Sequence, residues 1–514
     1  MLTTLVSPRL AIQKGDLLGS GVPYWPIELA TLAAVLRDRG EQVQVMDLFG
    51  SDPLRLTDNG DHHLQGEPIK DRLRDEAVLL ADRFIVSAIS YMSHIELLTI
   101  LRQLRAARPD AMIAVLENAQ AVTGYSLRAT KQAFFDAGAD ALICGEPLPI
   151  WDDVARALDD SSLSCAAVVR PGQPATSRPA RDRATAAPFR YPVPAWDLFP
   201  IANYWALPYA HGPKNGRYLP LLTSRGCPFG CDFCVVPATS SRIWKPRPPE
   251  EVVDEIVTLR DSFGVRTFAV EDLNPTVDHT RWERICELLI ERDAGVKFGF
   301  VAGTKAETVQ VDQLPLFAAA GCRYISISPE SGSSRLMQVI GKPFDHAHGL
   351  RLVAACRAAG IRTQACFLVG HPAETREDHR QSRAYLRALV DAGLDEVAVF
   401  VVASFAGSEL YRTAQIVIDD AHALPSFSPK GRRGYRVYSR RRLELTADFF
   451  GAKLRRGPEL WLQGIRGVLG RSETKMENLP RRALFVLWRV LAARHRSASD
   501  TVRQDQPTPP GWPR

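Results

Sequence analysis

The stretch that decides the fold and the chemistry is Thr223-Ser224-Arg225-Gly226-Cys227-Pro228-Phe229-Gly230-Cys231-Asp232-Phe233-Cys234. Its three cysteines follow the spacing Cys-x3-Cys-x2-Cys directly after a predicted strand. Three thiolates on one tight loop can bind three corners of an iron–sulfur cubane, and Pro228 and Gly230 let the loop curl around it. A 4Fe–4S cluster normally takes four thiolates. Because no fourth cysteine lies nearby, one iron would stay open to an external ligand.

Other readings of this cysteine loop are weak. A structural zinc site would need a fourth Cys or His at ligand spacing, and His211 and His279 are badly placed for that role. The chain has nine cysteines in 514 residues, too few for a disulfide scaffold. Most of the other six sit among apolar or alanine residues and are expected to be small core side chains.

Around this loop, apolar runs alternate with helical patterns. Strands are predicted at residues 219–223, 267–270, 298–302, 324–328, 364–369 and 396–401, with helices between them, for example at 249–263 and 280–292. Six strand–helix units in succession predict a partial barrel of six parallel strands. In such barrels the loops at the carboxyl ends of the strands carry the site.

Residues 1–160 show a similar alternation. Strands are predicted at 2–6, 43–48, 83–90, 112–116 and 141–145, with amphipathic helices at 27–39 and 95–107. This pattern predicts a Rossmann-like, doubly wound parallel sheet, which binds ligands at the carboxyl ends of its strands. The overall fold class is therefore α/β.

Composition narrows the class of protein. With 46% apolar and 24% charged residues the chain is neither disordered, collagen-like nor a coiled coil. No apolar run reaches the roughly 18 residues that a membrane span needs. The amino terminus lacks the basic flank and long apolar core of a signal peptide, so a cytoplasmic location is expected.

Five regions are predicted along the chain. They are a Rossmann-like domain (1–165), a linker and lead-in segment (166–210), the partial barrel (211–420), a basic helical region (421–496) and a disordered tail (497–514). Residues 430–496 contain 18 Lys and Arg against 5 Asp and Glu, while the whole chain has a net charge of only +6. The basic excess therefore belongs entirely to the carboxyl-terminal region.

The cysteine loop resembles the signature of the radical S-adenosylmethionine (radical SAM) family, including the aromatic Phe233 before the third cysteine. The resemblance covers roughly residues 190–420. It implies that Cys227, Cys231 and Cys234 hold a 4Fe–4S cluster whose open iron is chelated by SAM. It further implies that electron transfer from the cluster cleaves SAM to a 5′-deoxyadenosyl radical.

Later motifs resemble the cobalamin-binding subgroup, which includes an oxidative cyclase of bacteriochlorophyll synthesis and hopanoid methylases. They are Pro192-Val193-Pro194-Ala195-Trp196-Asp197-Leu198-Phe199-Pro200, Glu271-Asp272-Leu273-Asn274, Ser328-Pro329-Glu330-Ser331-Gly332 and Gly370-His371-Pro372-Ala373-Glu374-Thr375. The resemblance implies that SAM contacts Phe233, Glu271, Asp272, Glu330, Ser331 and Gly370. Carboxylates can accept hydrogen bonds from its ammonium or hydroxyl groups; the alternative for each acid is a solvated strand end or a helix cap.

The amino-terminal domain resembles the cobalamin-binding domain of that subgroup. Its first loop, around Tyr24, and the loops after Leu5-Val6, after Ser90 and at Gly145 are expected to surround the corrin ring. Two features depart from the pattern. No Asp-x-His-x-x-Gly motif is present, and Leu116-Glu117-Asn118-Ala119 replaces the usual glycine pair, which permits close approach to the cobalamin tail. A domain that binds nothing, or binds substrate, is the alternative.

The basic carboxyl-terminal region has two interpretations, which can both hold. In the first, it is a helical cap whose apolar stripe packs on the barrel mouth. In the second, its basic residues beside Trp461, Phe485 and Trp488 contact an anionic membrane surface peripherally, at the inner face of the membrane. Nucleic acid is not an expected partner, because no stacking platform or motif is present.

The sequence thus predicts a cobalamin-dependent radical SAM enzyme that methylates an unactivated carbon. A radical SAM cyclase, rearrangement or oxidation enzyme is the alternative, and a non-catalytic iron–sulfur interaction protein is the alternative of another class. The expected partners are a small-molecule or lipid substrate and an electron donor such as flavodoxin or ferredoxin. The motifs do not name the substrate.

Overall fold

The structure is a computed structural model. It describes residues 1–13, 22–60, 62–121, 123–173, 190–214, 216–240, 242–413, 429–457, 459–469, 472–485 and 487–488. Residues 174–189 of the predicted linker and lead-in segment and the whole of the predicted disordered tail therefore lie outside the described residues. The predicted domain limits themselves stay predictions.

The amino-terminal domain is built on a six-stranded sheet. In space its strands are ordered Gln42–Asp47, Leu2–Ser7, Arg83–Ala88, Met112–Glu117, Ala141–Ile143 and Val168–Val169. The first five are parallel, which confirms the predicted doubly wound sheet. The sixth is an antiparallel edge strand that a two-residue pattern cannot predict. The topological switch point lies between Leu2–Ser7 and Arg83–Ala88.

Among the described residues, seven α-helices accompany this sheet: Ile27–Asp38, Leu48–Ser51, Ile69–Arg72, Glu76–Leu79, His94–Ala107, Lys131–Asp136 and Trp151–Asp159. The first helix was predictable from its apolar periodicity, because its inward-facing residues recur at helical spacing and are fully buried. They are Leu29, Leu32, Ala33 and Leu36. A small antiparallel sheet of Leu10–Gln13, His62–Gln65 and Leu56–Asp58 was not expected. Its strands have only three or four residues each, too short for a clear alternating pattern.

The second domain is the predicted partial barrel. Its six parallel strands are neighbours in chain order: Leu219–Leu221, Thr267–Val270, Lys297–Thr304, Cys322–Glu330, Arg362–Val369 and Glu396–Val401. Among the described residues the first and last strands do not pair, so the barrel stays open. The longer helices around it are Pro249–Phe263, His279–Glu291, His346–Ala358 and Arg376–Ala392, and the shorter ones are Ile201–Ala206, Val236–Thr239, Leu314–Ala319, Ser334–Val339 and Glu409–Thr413.

The carboxyl-terminal region is helical, as expected, with helices at Pro429–Arg455 and Glu459–Val468. Leu445, Phe449 and Ala452 are buried where the first of these helices packs on the barrel. The segment that follows reaches the amino-terminal ends of the barrel strands, where the Met476 N–H donates to Glu396 at 2.9 Å. The carboxyl-terminal region thus contacts more of the barrel than the mouth, to which the predicted cap was confined. No helix in the described part of the chain is long and apolar enough to cross a membrane.

The two domains share one hydrophobic core. Trp196, in the segment that leads into the barrel, is fully buried and meets Trp25 of the first loop edge to face, with ring centroids 5.4 Å apart. Trp25 also stacks on Tyr204 at 4.2 Å and donates a hydrogen bond to the Tyr218 hydroxyl. These contacts fix the amino-terminal sheet against the first barrel strand.

Candidate active site

The cysteine loop is closed at its base by a short antiparallel pair, Ser224–Arg225 with Lys245–Pro246. Gly226 adopts φ +72°, and a Cβ there would lie only 2.1 Å from the Ile243 carbonyl oxygen. A side chain at this position would therefore break the turn that leads into Cys227. The local backbone geometry therefore requires a glycine at this position of the motif.

Separate segments hold the loop in place. The Gly226 N–H donates to Gln120 of the amino-terminal domain at 3.1 Å. Asp232 donates from its N–H to the Ile340 carbonyl at 3.0 Å and accepts from the Leu410 N–H at 2.8 Å. The Asp232 carboxylate also lies 3.0 Å from Nε2 of His371. Because Nδ1 of that ring accepts from the Ala373 N–H, Nε2 carries the proton and donates it to Asp232.

Burial dominates the electrostatics of the three thiols. It raises the pKa of Cys231 to about 11 and that of Cys234 to about 12, and it also raises the pKa of Cys227. The Lys342 ammonium opposes the rise at all three thiols. Metal binding must therefore displace protons from this loop.

The three cysteines can hold a cluster, because a cubane binds its thiolates at different iron atoms. Within the described residues, no three His, Cys, Asp or Glu side chains converge on one metal-ion position. The three cysteines are also partly exposed, so an external ligand can reach them.

Glu330 lies at the end of the fourth barrel strand in a left-handed conformation, with φ +57°. Its carboxylate is buried and pairs with Lys342 at 2.5 Å. Burial raises the pKa of Glu330, and the Lys342 ammonium opposes that rise. The left-handed backbone and the buried charge pair make this strand end a candidate functional position. Sequence patterns gave no signal for Lys342.

A small cavity of about 10 Å³, the space of one water molecule, separates this strand end from the cysteine loop. Its lining includes three predicted SAM contacts, Phe233, Glu330 and Ser331, together with His371. The structure thus brings these residues together. Ser331 also has a local role, because its hydroxyl lies 2.9 Å from that of Ser382.

The two acids at the end of the second barrel strand have different surroundings. Asp272 is buried and accepts from both the N–H and the hydroxyl of Thr223, each at 2.7 Å. It therefore holds the strand that leads into the cysteine loop. Glu271 is partly exposed and lies 2.6 Å from Nδ1 of His211, whose ring packs on Tyr24. Sequence reasoning considered His211 only as a zinc ligand and so missed this pair.

Gly370 lies in the turn after the fifth barrel strand. It adopts φ +87°, and its N–H donates to Glu374 at 2.6 Å. Tyr438 of the carboxyl-terminal helix covers it so closely that a Cβ would lie 2.7 Å from the tyrosine ring. Arg441 of the same helix pairs with Glu374 at 2.7 Å. The carboxyl-terminal helix is therefore part of the wall around this turn.

The residues predicted to surround the corrin ring fall into two groups. Ser90 is buried and donates to the Thr123 carbonyl at 3.4 Å, and Tyr24 also hydrogen-bonds to Thr123. Gly145 lies apart from them. It donates to Glu117 at 2.6 Å and faces the Thr239 carbonyl of the barrel domain.

Comparison with known proteins agrees with this geometry. Residues 221–399 match the model of the radical SAM superfamily. Cytidylyl-2-hydroxyethylphosphonate methyltransferase of Streptomyces wedmorensis is 29% identical over 240 residues, 43% of this chain and 42% of that protein. Anaerobic magnesium-protoporphyrin IX monomethyl ester cyclase of Rubrivivax gelatinosus is 32% identical over 193 residues, 36% and 34% of the two chains. The chain thus spans less than half the length of these relatives.

Two solved structures share the fold over most of the chain. The radical SAM methyltransferase TsrM of Kitasatospora setae, with tryptophan and a SAM analogue bound, has a TM-score of 0.59 and 18% identity, covering 80% of this chain and 76% of its own. OxsB, a cobalamin-dependent radical SAM enzyme, has a TM-score of 0.57 and 14% identity, covering 99% and 82%. Residues 221–399 of this chain therefore match the radical SAM superfamily, and the chain shares its two-domain fold with TsrM and OxsB.

Proposed function

We propose that this chain is a cobalamin-dependent radical SAM enzyme that methylates an unactivated carbon. The observation that carries the proposal is the cysteine loop, which lies at the carboxyl ends of the barrel strands and is bonded through Gln120 to the amino-terminal domain. The folds of TsrM and OxsB support it, because their likeness to this chain extends over both domains. A TsrM structure contains cobalamin and a 4Fe–4S cluster.

The residues fit the proposed cofactors. Cys227, Cys231 and Cys234 would hold the cluster. The amino acid part of SAM carries one ammonium and one carboxylate, so Glu330 and Lys342 could each exchange their buried partner for an opposite charge on SAM. No buried charge would then stay unpaired. When bound, the cluster and SAM would supply a carbon-centred radical, and the corrinoid would supply the methyl group.

The chain's own groups would position the reactants and exclude water. Asp232, fixed by Ile340, Leu410 and His371, keeps the cysteine loop against the barrel mouth. Glu271 and His211 lie at the edge between the two domains, together with Tyr24, and are only partly exposed. They are the polar groups best placed to orient a substrate between SAM and the amino-terminal domain.

Product analysis tests the methyl transfer. The reconstituted protein, supplied with SAM, a reductant and an extract of candidate substrates, should yield both S-adenosylhomocysteine and 5′-deoxyadenosine, and a product heavier than its substrate by one CH2. Formation of 5′-deoxyadenosine without S-adenosylhomocysteine would contradict methyl transfer and leave a radical enzyme of another kind.

The second candidate is a radical cyclase or oxidation enzyme. It is favoured by the cyclase of Rubrivivax gelatinosus, which has a higher identity than the methyltransferase relative, 32% against 29%, over a shorter stretch. A product that lacks the added CH2 would select this candidate. For both candidates we propose a small-molecule or lipid substrate and an electron donor such as flavodoxin or ferredoxin.

Peripheral contact with an anionic membrane is proposed for the carboxyl-terminal region. Trp461, Leu462, Ile465 and Leu469 recur along one side of the helix Glu459–Val468 and its end, and all four are exposed. Trp461 is 72% and Leu469 66% exposed. The region also carries the basic excess of the chain. An apolar stripe beside basic residues is typical of an interfacial helix.

Vesicle co-sedimentation tests this contact. Binding should be stronger to anionic than to neutral vesicles and should fall at high salt, because each basic residue near the surface adds about 1 kcal/mol that salt screens. Trp461→Ala should weaken it, whereas Leu163→Ala, an exposed apolar residue of the amino-terminal domain, should not. Equal and negligible binding to both vesicles would leave the barrel contact as the only role of this region.

A further inference from the structure

The carboxyl-terminal edge of the amino-terminal sheet is bridged by side chains at the gaps where a ligand could enter. At the gap between the fourth and fifth strands, Glu117 accepts from the Leu127 N–H at 2.8 Å and from the Gly145 N–H at 2.6 Å. The carboxylate is almost fully buried. Each of its oxygens thus satisfies one backbone donor and occupies the space between the two loops.

The neighbouring gaps are bridged as well. Asn118 donates to the Ile89 carbonyl at 3.0 Å, which joins the fourth strand to the third. At the switch point between Leu2–Ser7 and Arg83–Ala88, Arg9 pairs with Glu96 at 2.6 Å, and both side chains are buried. The Ser93 hydroxyl donates to the Arg9 carbonyl at 3.2 Å. Polar bridges therefore join the four consecutive strands at this edge.

Opening such a bridge is unfavourable. A group inserted between the fourth and fifth strands would separate Glu117 from two backbone N–H groups, and buried polar groups without partners are costly. A flat ligand that lies across the edge would leave these bridges in place. Cobalamin consists of a flat corrin ring and a nucleotide tail, so this edge can accept the ring and not the tail.

We infer that the amino-terminal domain binds its corrinoid by the ring alone, because Glu117 and its neighbours exclude the nucleotide tail from the strand ends. This inference rests on the proposed function, since it assumes that a corrinoid is bound. Glu117 is then a specificity-determining residue. The domain does not distinguish cobalamin from cobinamide, the corrinoid that lacks the tail.

The test is a direct binding measurement on the full chain with its cluster reconstituted. Hydroxocobalamin and cobinamide are titrated separately under anaerobic reducing conditions, and bound corrinoid is followed by its absorbance. The dissociation constants of the two corrinoids should agree within about threefold. Binding of cobalamin more than about tenfold tighter than cobinamide would overturn the inference and leave the proposed function intact.

Variants of Glu117 and Asn118 test whether these side chains exclude the nucleotide tail. Glu117→Gly should open the gap and raise the preference for cobalamin over cobinamide about tenfold, whereas Glu117→Gln, which keeps the side-chain volume and one of the two acceptor oxygens, should raise it by less. If circular dichroism shows that Glu117→Gly does not fold, Asn118→Gly opens the adjacent gap with the same expected direction. A ratio that stays near one in the folded glycine variant would overturn the role of these side chains.

Absence of binding has a separate meaning. If neither corrinoid binds, both the inference and the cobalamin part of the proposed function are overturned. Cleavage of SAM by the same preparation would still support the radical SAM part. The failures of the two proposals are therefore distinguishable.

Discussion

At the scale of single residues, the chemistry of the site depends on side chains from distant parts of the chain. The cysteine spacing could be recognised in the sequence because the three ligands lie within eight positions. Gln120, Lys342 and His371 could not be assigned their contacts in this way, because Gln120, for example, lies 106 positions from Gly226. Only the fold brings such partners together.

Gln120 should influence how firmly the loop holds its cluster. Gln120→Ala removes the acceptor for the buried Gly226 N–H, a loss of about 1 kcal/mol, so iron should be released to a chelator about fivefold faster. Gln132→Ala, which removes an exposed glutamine that donates to Asp136, is the matched control. Equal release rates in both variants and the wild type would show that Gln120 does not support the loop.

Glu330 should contribute to SAM affinity. Glu330→Gln removes the negative charge expected to meet the SAM ammonium, a loss of roughly 1.5–3 kcal/mol, or about 10- to 150-fold in the dissociation constant. Equilibrium binding of SAM to the reconstituted protein measures it. Glu287→Gln, at an exposed position of a barrel helix, should change nothing. An unchanged dissociation constant in Glu330→Gln would remove Glu330 from the SAM site.

Glu117 should make stability depend on pH. Burial raises its pKa from 4.5 to about 7, so the folded protein holds this proton more tightly than the unfolded chain. Its contribution is complete below pH 4.5 and is lost as the pH rises to 7. Relative to Glu117→Gln, the wild type should therefore lose about 3 kcal/mol of unfolding free energy over that interval. Urea unfolding of the cluster-free protein at several pH values measures it; parallel profiles would contradict the prediction.

At the scale of elements, the strength of the sequence signal decided what could be predicted. All six barrel strands were predicted, because long apolar runs bounded by helical patterns are typical of buried parallel strands. The strands His62–Gln65 and Val168–Val169 could not be predicted, since one is polar and the other has two residues. The path of the carboxyl-terminal helix along the barrel depends on contacts such as that of Tyr438 with Gly370, for which no local pattern exists.

That helix should be displaced by a methyl group at Gly370. Gly370→Ala would place a Cβ against the Tyr438 ring, and overpacking of this kind costs about 1–3 kcal/mol. Limited proteolysis should then cut the helix Pro429–Arg455 faster. Gly360→Ala is the matched control, because Gly360 also has a positive φ, +72°, but has nothing within 4 Å of the added Cβ.

A double variant tests whether the clash with Tyr438 causes the displacement. Adding Tyr438→Ala to Gly370→Ala removes the clash and should restore the helix to its position. If Gly370→Ala and Gly360→Ala raise the cleavage rate equally, backbone strain alone explains the effect. The contact with Tyr438 would then not hold the helix.

At the scale of the whole molecule, the two domains act as one unit. Trp25 and Trp196 place the amino-terminal sheet in the same core as the barrel, and Gln120 carries that contact to the cysteine loop. Any ligand at the edge of the amino-terminal sheet therefore lies next to the proposed cluster. This proximity is what a reaction with two cofactors requires.

Cleavage of SAM by the reconstituted protein is the most direct test of the central claim. After anaerobic reconstitution to about four irons per chain, the wild type with a reductant should convert SAM to 5′-deoxyadenosine. The triple variant Cys227→Ala, Cys231→Ala, Cys234→Ala should lose both the iron and the product. A wild type that binds its cluster and leaves SAM intact, or a triple variant that still forms 5′-deoxyadenosine, would contradict the assignment as a radical SAM enzyme.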